Sequence, residues 1–579
     1  MVPHGYITTA EQAGPYVAAL AACPVLGVDI ETTGLDAHRH RVRLLSVAAP
    51  DGRTAVFDLQ TVPVAALALL SQVPWIAFNA QFEWRHLTHA GFKVPLLHDA
   101  MLMDRLISHQ LRPLAAVAAD VLGIALDKSL QRSDWAGPLS REQLDYAAAD
   151  ALAAVRIGSA LLEQVNQHQQ GRLYRLWRDA AAVLAELSLR GHCIDWDAHS
   201  ILQAAWQSEA DELQVQLKDA MGGVNLNSGP QIGAWLTQHL PESRIEIWPR
   251  TDSGRLKTDA ETLALSADLP GAQQLLRYKT VTKLLGTYGN GYAKHRHPIT
   301  DRLHPDFSIG FTRTGRIAAS RPNTQNPPRQ AAFRQLFVPS AGRVMIGADF
   351  SQIELRVAAL LSRDRAMIRA YQQGRDLHRL TAAAIADVAP DAVTKEQRQA
   401  AKAVNFGNLY GQGAKGLART AWTSYGVCMT EQEARQALTR FAKAYPALTV
   451  WKREQVKAAQ DRGQVCTKLG LIRDFDVQGT GYLAGEAVNV PVQGSAAEIM
   501  LETLARLPQM LARTGATLSH SVHDEIVIEA EADDDEAAAA LADAMRAGMR
   551  AVFPEAEALG LAGADLVDVK RGQNWAEVH

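Results

Sequence analysis

The segment from residue 398 to residue 411 constrains the fold of this chain more than any other. It carries large side chains at a regular spacing of four, followed by a glycine: Arg398, Lys402, Phe406 and Tyr410. This spacing predicts a helix on which the four side chains share one face roughly 18 Å long. Two cations suit a polyphosphate, and two flat rings suit a sugar and a base. The pattern indicates a nucleoside triphosphate laid along the helix, although an amphipathic core helix with two solvated cations would show it too.

The composition is that of an ordinary globular protein with several domains. A length of 579 residues predicts roughly three or four domains. Apolar residues make up 47% of the chain and charged residues 21%, which is usual for soluble proteins. Because the net charge is −3, any surface that attracts nucleic acid must be local. The segment 301–334 is predicted to form such a basic patch, since it holds six arginines and only two aspartates.

The cysteines and apolar segments give no indication of secretion or membrane insertion. The four cysteines lie far apart and form no CxxC pair: Cys23, Cys193, Cys428 and Cys466. This spacing suggests neither a disulfide framework nor a zinc site. The apolar stretch 17–28 lacks a basic leader, contains Pro24 and is too short to span a membrane. We therefore expect a cytoplasmic protein with no membrane partner.

Hydrophobic periodicity divides the chain into regions of different type. Residues 1–165 alternate strand-like and helical runs, an α/β pattern, and residues 166–300 are mostly helical. After the polar segment 301–334, strand-like runs at 343–347 and 526–530 bracket long Ala-rich helices.

Two acids in the C-terminal half are predicted to lie at the ends of strands. Asp349 ends a buried run, and Asp524 lies at the turn of a predicted hairpin. Two such carboxylates could share two Mg²⁺ ions roughly 3.5–4 Å apart. Either aspartate alone is more commonly a capping or turn residue. Together with the cation-bearing helix they indicate transfer of a nucleotidyl group to a hydroxyl.

A second set of acids lies near the N-terminus. Asp29 and Glu31 point to the same side of a predicted strand, a natural clamp for a metal. Tyr146 and Asp150 share a helix face, so the phenol can orient a water on a metal that Asp150 helps to hold. Glu83 follows in the run Phe78-Asn-Ala-Gln-Phe-Glu83. A DxE pair alone is a weak signal, but the three elements in this order are a strong one.

Residues 301–579 resemble family A DNA polymerases, the DNA polymerase I type. Besides the helix, the resemblance rests on these motifs: Thr314-Gly-Arg316-Ile317, Pro322-Asn323-Thr-Gln325-Asn326-Pro327, Asp349-Phe-Ser-Gln352-Ile-Glu354-Leu-Arg356, Gln493-Gly494 and Val522-His523-Asp524-Glu525. The resemblance implies an α+β right-hand fold. It places a thumb at 166–300, the palm at 301–360 and 451–579, and fingers at 361–450.

The resemblance also implies roles for individual residues. Asp349, Asp524 and the carbonyl of Phe350 would hold metal, and Lys402 would act as an acid toward the leaving pyrophosphate. A nucleotide would contact these residues: Arg398, Lys402, Phe406, Tyr410, His378, Glu354 and Gln352. Primer–template DNA would contact these: Arg316, Asn323, Gln325, Asn489, Gln493 and His523. A carboxylate at Glu354, held by Tyr410, would collide with a 2′-hydroxyl and favour deoxynucleotides.

Residues 1–165 resemble DEDDy 3′–5′ exonuclease domains, which have a ribonuclease H-like α/β fold. The resemblance implies that four carboxylates bind two metals, Mg²⁺ with Mn²⁺ as a substitute: Asp29, Glu31, Glu83 and Asp150. Tyr146 would position the nucleophile. Glu83 stands where the family has Asp, which leaves the carboxylate one methylene longer. Asp99 is either a supporting residue or a helix N-cap.

We expect a monomeric enzyme that extends primer–template DNA with dNTPs and proofreads its product. The exonuclease pattern begins within thirty residues of Met1, so we expect a compact, phage- or plasmid-like form without a 5′ nuclease domain. One alternative is an exonuclease whose C-terminal half only binds nucleic acid. Another is a phage-type RNA polymerase, which Glu354 disfavours.

Overall fold

The computed structural model describes residues 4–246, 248–266, 268–269, 271–476 and 483–579. The N-terminal region contains a mixed six-stranded sheet packed against helices. Its strands are β1 (His4–Ile7), β2 (Leu26–Thr32), β3 (Val42–Ala48), β4 (Thr54–Asp58), β5 (Trp75–Ala77) and β6 (Leu97–Asp99). Its helices are α1 (Ala10–Ala21), α2 (Gln81–His89), α3 (Ala100–Ser108), α4 (Leu114–Leu122) and α5 (Arg141–Gln167), with a 3₁₀ helix at Val64–Gln72.

The strand order β1-β4-β3-β2-β5-β6 places β2 in the middle of the sheet. Helix α5 begins with a capping box, in which Ser140 and Gln143 each bond the other's backbone N–H. A Cβ at Gly27 would collide with the carbonyl oxygen of Ala151, so a glycine is needed for α5 to lie this close to β2. The close approach brings the acids of β2 and α5 together.

The next region is mainly helical, as the sequence predicted. It consists of α6 (Gly171–Arg190), β7 (His192–Cys193), α7 (Trp196–Ala220), α8 (Gly229–His239), α9 (Glu242–Glu246), α10 (Ala260–Leu263), α11 (Ala272–Leu284) and α12 (Gly291–Lys294), with a π-helix at Leu285–Asn290. Apolar side chains of α7, α8 and α11 form a core of their own around Leu217, Trp235 and Leu275.

The C-terminal region is built on an antiparallel sheet of order β14-β15-β11-β16. Its strands and the smaller ones before them are β8 (Arg302–Leu303), β9 (Asp306–Ser308), β10 (Ala318–Ser320), β11 (Val344–Phe350), β12 (Gln464–Cys466), β13 (Ile472–Asp474), β14 (Thr517–Val522), β15 (Glu525–Ala530) and β16 (Val567–Gly572). Its helices are α13 (Ala331–Arg334), α14 (Ile353–Ser362), α15 (Arg365–Gln372), α16 (Leu377–Ala386), α17 (Lys395–Leu409), α18 (Ala414–Tyr425), α19 (Glu431–Ala444), α20 (Pro446–Arg462), α21 (Leu483–Met510), α22 (Asp535–Val552) and α23 (Trp575–Val578).

The observed architecture agrees with the predicted α/β domain followed by an α+β region. The predicted hairpin is β14–β15, and the predicted triphosphate helix is α17, whose first turn is closed by a Thr394–Gln397 capping box. All four cysteines are free thiols. Among the described residues, no helix is long and apolar enough to cross a membrane.

Two candidate carboxylate active sites

The first candidate site lies at one end of the C-terminal sheet. Asp349 is paired in register with Glu525 of β15 on one side and with Asp568 of β16 on the other. The backbone N–H of Phe350 donates to the carbonyl oxygen of Asp524 at 3.1 Å. Asp524 therefore lies beside the end of β11, and the structure brings the two predicted aspartates together.

Burial and mutual repulsion act on these carboxylates. Burial, followed by the charges of Asp524, Glu525 and Asp568, raises the pKa of Asp349 to about 8. Burial also raises the pKa of Asp524. Neither aspartate lies within 4 Å of a cationic side chain in the described part of the chain. Glu525 is engaged instead by the Trp575 indole N–H, with Nε1 and Oε1 3.0 Å apart. Carboxylate oxygens gathered at one end of a sheet suit Mg²⁺.

The C-terminal end of helix α17 lies near Asp524, across a shared cavity. The rings of Phe406 and Tyr410 have centroids 6.2 Å apart. They line a cavity of ≈ 220 Å³ together with residues of α14, the hairpin turn and the loop before β10: Arg316, Gln352, Ile353, Glu354, His523 and Asp524. The ring-bearing end of the predicted face thus opens onto one of the two predicted aspartates.

The cations of α17 differ in their partners. The Arg398 guanidinium Nε lies 2.5 Å from the Asp376 carboxylate, whereas Lys402 makes no ion pair within the part of the chain that the structure describes. His378 is buried, and its Nδ1 accepts a hydrogen bond from the Asn405 amide at 2.7 Å. Burial lowers the pKa of His378 to about 4, so the ring is neutral. Its expected contact with phosphate would be that of a neutral donor.

Glu354 lies in the first turn of α14, where it is 6% exposed. The Tyr410 hydroxyl donates to its carboxylate at 3.0 Å, and Arg316 forms an ion pair with its other oxygen. Burial raises the pKa of Glu354, and the charge of Arg316 lowers it. Gln352, just before the helix, accepts a hydrogen bond from the Tyr371 hydroxyl at 3.3 Å. The predicted contact between Tyr410 and Glu354 is present.

Most of the residues expected to bind DNA line a second cavity, of ≈ 300 Å³, that also reaches Asp524: Arg316, Asn323, Gln325, Gln493 and His523. Gln325 is held in place because its amide donates to the Ser521 carbonyl at 2.6 Å. Asn489 does not line this cavity, and its buried Oδ1 has no hydrogen-bond partner among the described residues. The structure therefore brings five of these six residues together and leaves Asn489 aside.

The second candidate site lies between β2, α2 and α5. Asp29 and Glu31 are on β2, and α5 carries Tyr146 and Asp150. Glu83 lies in the first turn of α2 and is 4% exposed. The charge of Asp29 raises the pKa values of Glu31 and Glu83, and the charge of Asp150 raises those of Asp29, Glu31 and Tyr146, as expected for groups that lie near one another.

Asp99 fixes the approach of α2. Its carboxylate accepts the backbone N–H groups of Asn79 and Ala80 at 3.1 and 3.0 Å. It also caps α3 by accepting the N–H groups of Met101 and Leu102. Asp99 is therefore a helix N-cap that supports the segment leading to Glu83.

Burial and repulsion are stronger at this second site. Burial, then the charges of Asp29 and Asp150, raises the pKa of Glu31 to about 10. Burial and Asp150 raise the pKa of Asp29, and burial and Asp29 raise the pKa of Glu83. Burial and Asp150 likewise raise the pKa of the Tyr146 phenol.

The donor set at this site suits a divalent cation. Glu83 Oε2 is buried and has no hydrogen-bond partner among the described residues. An unpartnered carboxylate oxygen among other buried carboxylates is stabilised by a proton or by a bound cation. Within the described ranges, no three His, Cys, Asp or Glu side chains already converge as a ligand set. The residues supply the right donors, and metal binding would have to draw them together.

Several residues at these sites were not found by sequence reasoning. Lys128 contacts both Asp150 and Tyr146. Asp376 pairs with Arg398, and Asp568 lies opposite Asp349 on β16. The sequence offers no signal for these partners beyond charged residues in polar segments, because each contact joins segments that are distant in the chain.

Comparison with known proteins gives a family for each half of the chain. Residues 197–577 match the family described as DNA polymerase family A, and residues 5–166 match the family described as 3′-5′ exonuclease. The chain belongs to DNA polymerase family A. It is a family A DNA polymerase with a 3′–5′ exonuclease domain, and the predicted family, fold class and enzyme class are confirmed.

Individual relatives align with most of this chain. DNA polymerase I of Aquifex aeolicus is 29% identical over 91% of the chain and 92% of the relative. DNA polymerase I of Chloroflexus aurantiacus is 31% identical over 88% of the chain, which spans only 55% of that relative. The POL domain of Pol1 from M. smegmatis, solved in complex with DNA primer–template and dNTP, has the same fold. It superposes with a TM-score of 0.86 over 100% of both chains at 24% identity.

Proposed function

We propose that this chain adds dNTPs to the 3′-hydroxyl of a primer under the direction of a template strand. The observation that carries the proposal is the cavity shared by Asp524, Glu354, Phe406 and Tyr410. It gathers a carboxylate for chemistry, a carboxylate that limits the sugar, and two rings for the nucleotide. We infer primer–template DNA and dNTPs as the binding partners.

At the polymerase site, the residues have separate tasks. Asp349, Asp524 and the Phe350 carbonyl would hold Mg²⁺, two ions per site, with Mn²⁺ as a substitute. Bound divalent ions would make the primer hydroxyl more acidic and neutralise the departing pyrophosphate. Lys402, free of an ion pair within the described residues, would bind the triphosphate and protonate the leaving group. Arg398 would exchange Asp376 for phosphate oxygens, to which it can bind in bidentate fashion.

Residues around the same cavity would select the sugar of the nucleotide and align the primer–template. Glu354 would exclude a 2′-hydroxyl, since Arg316 and Tyr410 hold its carboxylate on both sides. Arg316, Gln493 and His523 would touch the minor groove, where acceptors occupy similar positions on every base pair.

We further propose that the N-terminal site removes mismatched nucleotides from the primer 3′ end. Asp29, Glu31, Glu83 and Asp150 would hold two divalent ions, and Tyr146 would orient the attacking water. The unpartnered, buried oxygen of Glu83 supports its use as a ligand despite the longer side chain.

The remaining expectations about organisation are also proposals. We keep the thumb at 166–300, the palm at 301–360 and 451–579, the fingers at 361–450 and the exonuclease domain at 1–165. We likewise infer a monomer that acts in the cytoplasm.

Primer extension tests the proposal. A labelled primer–template would be incubated with Mg²⁺ and four dNTPs, and a parallel reaction with a mismatched 3′ end would omit nucleotides. We expect extension in the first reaction, its loss in Asp524→Asn, and shortening in the second. Shortening without extension at any nucleotide concentration would favour an exonuclease whose C-terminal half only binds nucleic acid. Extension without shortening would refute proofreading alone.

A further inference from the structure

Lys128 lies on the loop between α4 and α5, and this loop is anchored to the body of the domain. The Arg43 guanidinium donates to the carbonyls of Trp135, Ala136 and Gly137 at 3.4, 3.3 and 3.0 Å. The Gln143 side chain donates to the Ser133 hydroxyl and to the Asp134 carbonyl at 3.1 and 2.9 Å. The loop therefore presents Lys128 from a fixed base.

The ammonium of Lys128 reaches into the exonuclease site. Its Nζ lies 2.5 Å from Asp150 Oδ2 and 3.4 Å from the Tyr146 hydroxyl oxygen. It is also 5.1 Å from the centroid of the Tyr146 ring, within range of a cation–π contact. The Lys128 side chain is 25% exposed, whereas Asp150 is 6% exposed. The cation thus touches two of the five proposed catalytic side chains.

No other cationic side chain within the described ranges lies within 4 Å of the four exonuclease carboxylates. The influence of Lys128 extends beyond its direct contact, because its charge lowers the pKa values of Asp29, Glu31 and Asp150 against the effect of burial. One ammonium therefore supplies the positive charge in the part of the site where a divalent ion would bind Asp150.

We propose that Lys128 is an internal counter-ion of the exonuclease site that holds Asp150 and Tyr146 in place and competes with a divalent cation for Asp150. The inference rests on the proposed exonuclease function of this site. An ion that binds Asp150 Oδ2 must displace the ammonium, and one at Oδ1 is repelled by it, so Lys128 sets how much metal the site requires. It is a positioning residue, since it acts through Asp150 and Tyr146.

Mn²⁺ binding to the full chain tests this competition without reference to activity. Asp349→Asn and Asp524→Asn would first be introduced together, so that Mn²⁺ measured by electron paramagnetic resonance reports the exonuclease site. In that background, we expect Lys128→Met to lower the Mn²⁺ Kd by about two- to fivefold, as expected for a partly exposed ion pair. Lys128→Arg, which keeps the cation, should retain the original Kd.

Lys93→Met is the matched control, because Lys93 is an exposed lysine on the loop after α2 and makes no contact with the carboxylates. An unchanged or raised Kd in Lys128→Met would overturn the proposal. If that variant is less folded by circular dichroism, Lys128→Gln takes its place, with the same expected direction and the same contradicting result.

A further variant separates this inference from the proposed function. In the same background, Asp29→Asn should abolish Mn²⁺ binding. If Asp29→Asn leaves the stoichiometry unchanged, the metal site itself is wrong, and the role of Lys128 is wrong with it. If Asp29→Asn abolishes binding while Lys128→Met leaves the Kd unchanged, only the role of Lys128 is wrong.

Discussion

The exonuclease and polymerase sites both gather buried carboxylates, but among the described residues a cationic side chain contacts a proposed metal ligand at the exonuclease site alone. Lys128 touches Asp150 there, and all the partners belong to the sheet domain and its loops. At the polymerase site, three nearby cations pair with other carboxylates: Arg316 with Glu354, Arg398 with Asp376 and Lys570 with Asp568. Asp349 and Asp524 are left without a cationic partner among the described residues.

This difference indicates how each site is completed. The exonuclease carboxylates already have an internal counter-ion, so a divalent ion has to compete for them. The polymerase carboxylates depend on charge that arrives from outside, with a metal and with the triphosphate that α17 would bind. The cations of α17 lie on a different element from the carboxylates, which suits a site that assembles around its nucleotide.

The largest expected effect is the independent loss of each activity. Asp349→Asn should reduce primer extension by at least about 10³-fold, because removal of a metal ligand costs several kcal/mol of transition-state stabilisation. Excision of a mismatched 3′ end should stay within about twofold of the original rate, since no exonuclease ligand is changed. Single-turnover rates of both reactions would be measured on one substrate. Equal loss of both activities would show that the two sites are not independent.

Glu83 gives the next largest effect and tests the exonuclease site alone. Glu83→Ala should slow excision by at least about 10²-fold, because loss of a metal ligand removes about 3 kcal/mol or more of transition-state stabilisation. Glu83→Asp, which keeps the carboxylate, should recover most of the rate, and extension serves as the internal control. Full excision by Glu83→Ala would remove Glu83 from the ligand set.

Glu354 gives a smaller effect, confined to the polymerase site. Glu354→Ala should raise ribonucleotide incorporation relative to deoxynucleotide incorporation by about tenfold, because the carboxylate no longer obstructs a 2′-hydroxyl. Tyr410→Phe removes one hydrogen bond to that carboxylate and should change the ratio by only about twofold. The ratio of kcat/KM values for the two nucleotides measures both. An unchanged ratio in Glu354→Ala would place sugar selection elsewhere.

The smallest effect is a difference in proton release on metal binding. Burial and the neighbouring carboxylates raise the pKa of Asp349 to about 8 and that of Glu31 to about 10, so both metal-free sites retain protons at pH 7. Raised pKa values stabilise the metal-free fold at low pH, and this contribution is lost as the pH rises through the folded pKa. Metal must displace these protons, so affinity should increase with pH at both sites.

The two sites should differ in proton release at pH 9. Proton release at the site of Asp349 should fall strongly between pH 7 and pH 9, while release at the site of Glu31 persists. Mn²⁺ titration calorimetry in two buffers of different ionisation enthalpy would measure this, with each site silenced in turn by Asp→Asn substitutions. The same pH dependence at both sites would remove the electrostatic distinction between them.

Local pattern predicted the elements that carry most of the site. The four-residue spacing of α17, the alternation on both sides of Asp524 and the buried run before Asp349 each occur within one short segment. Periodicity can therefore identify them. Seven of the predicted residues also line one cavity: Arg316, Gln352, Glu354, Phe406, Tyr410, His523 and Asp524.

The partners of those residues could not be predicted from one sequence. Arg398 pairs with Asp376, Lys128 with Asp150 and Arg316 with Glu354, and in each case the two side chains come from separate segments. Strand β16, which places Asp568 beside Asp349, is short, and its exposed, charged residues conceal the strand pattern. Tertiary packing determines all of these contacts.

A crystal structure of the full chain with Mn²⁺, primer–template and an incoming nucleotide analogue would test the two-site arrangement most directly. Anomalous scattering should place Mn²⁺ about 2.1 Å from carboxylate oxygens of Asp349 and Asp524, and at the same distance from those of Asp29 and Glu31. Manganese at the nucleotide but not at Asp349 and Asp524, or a nucleotide-bound complex with no manganese beside Asp29 and Glu31, would contradict it.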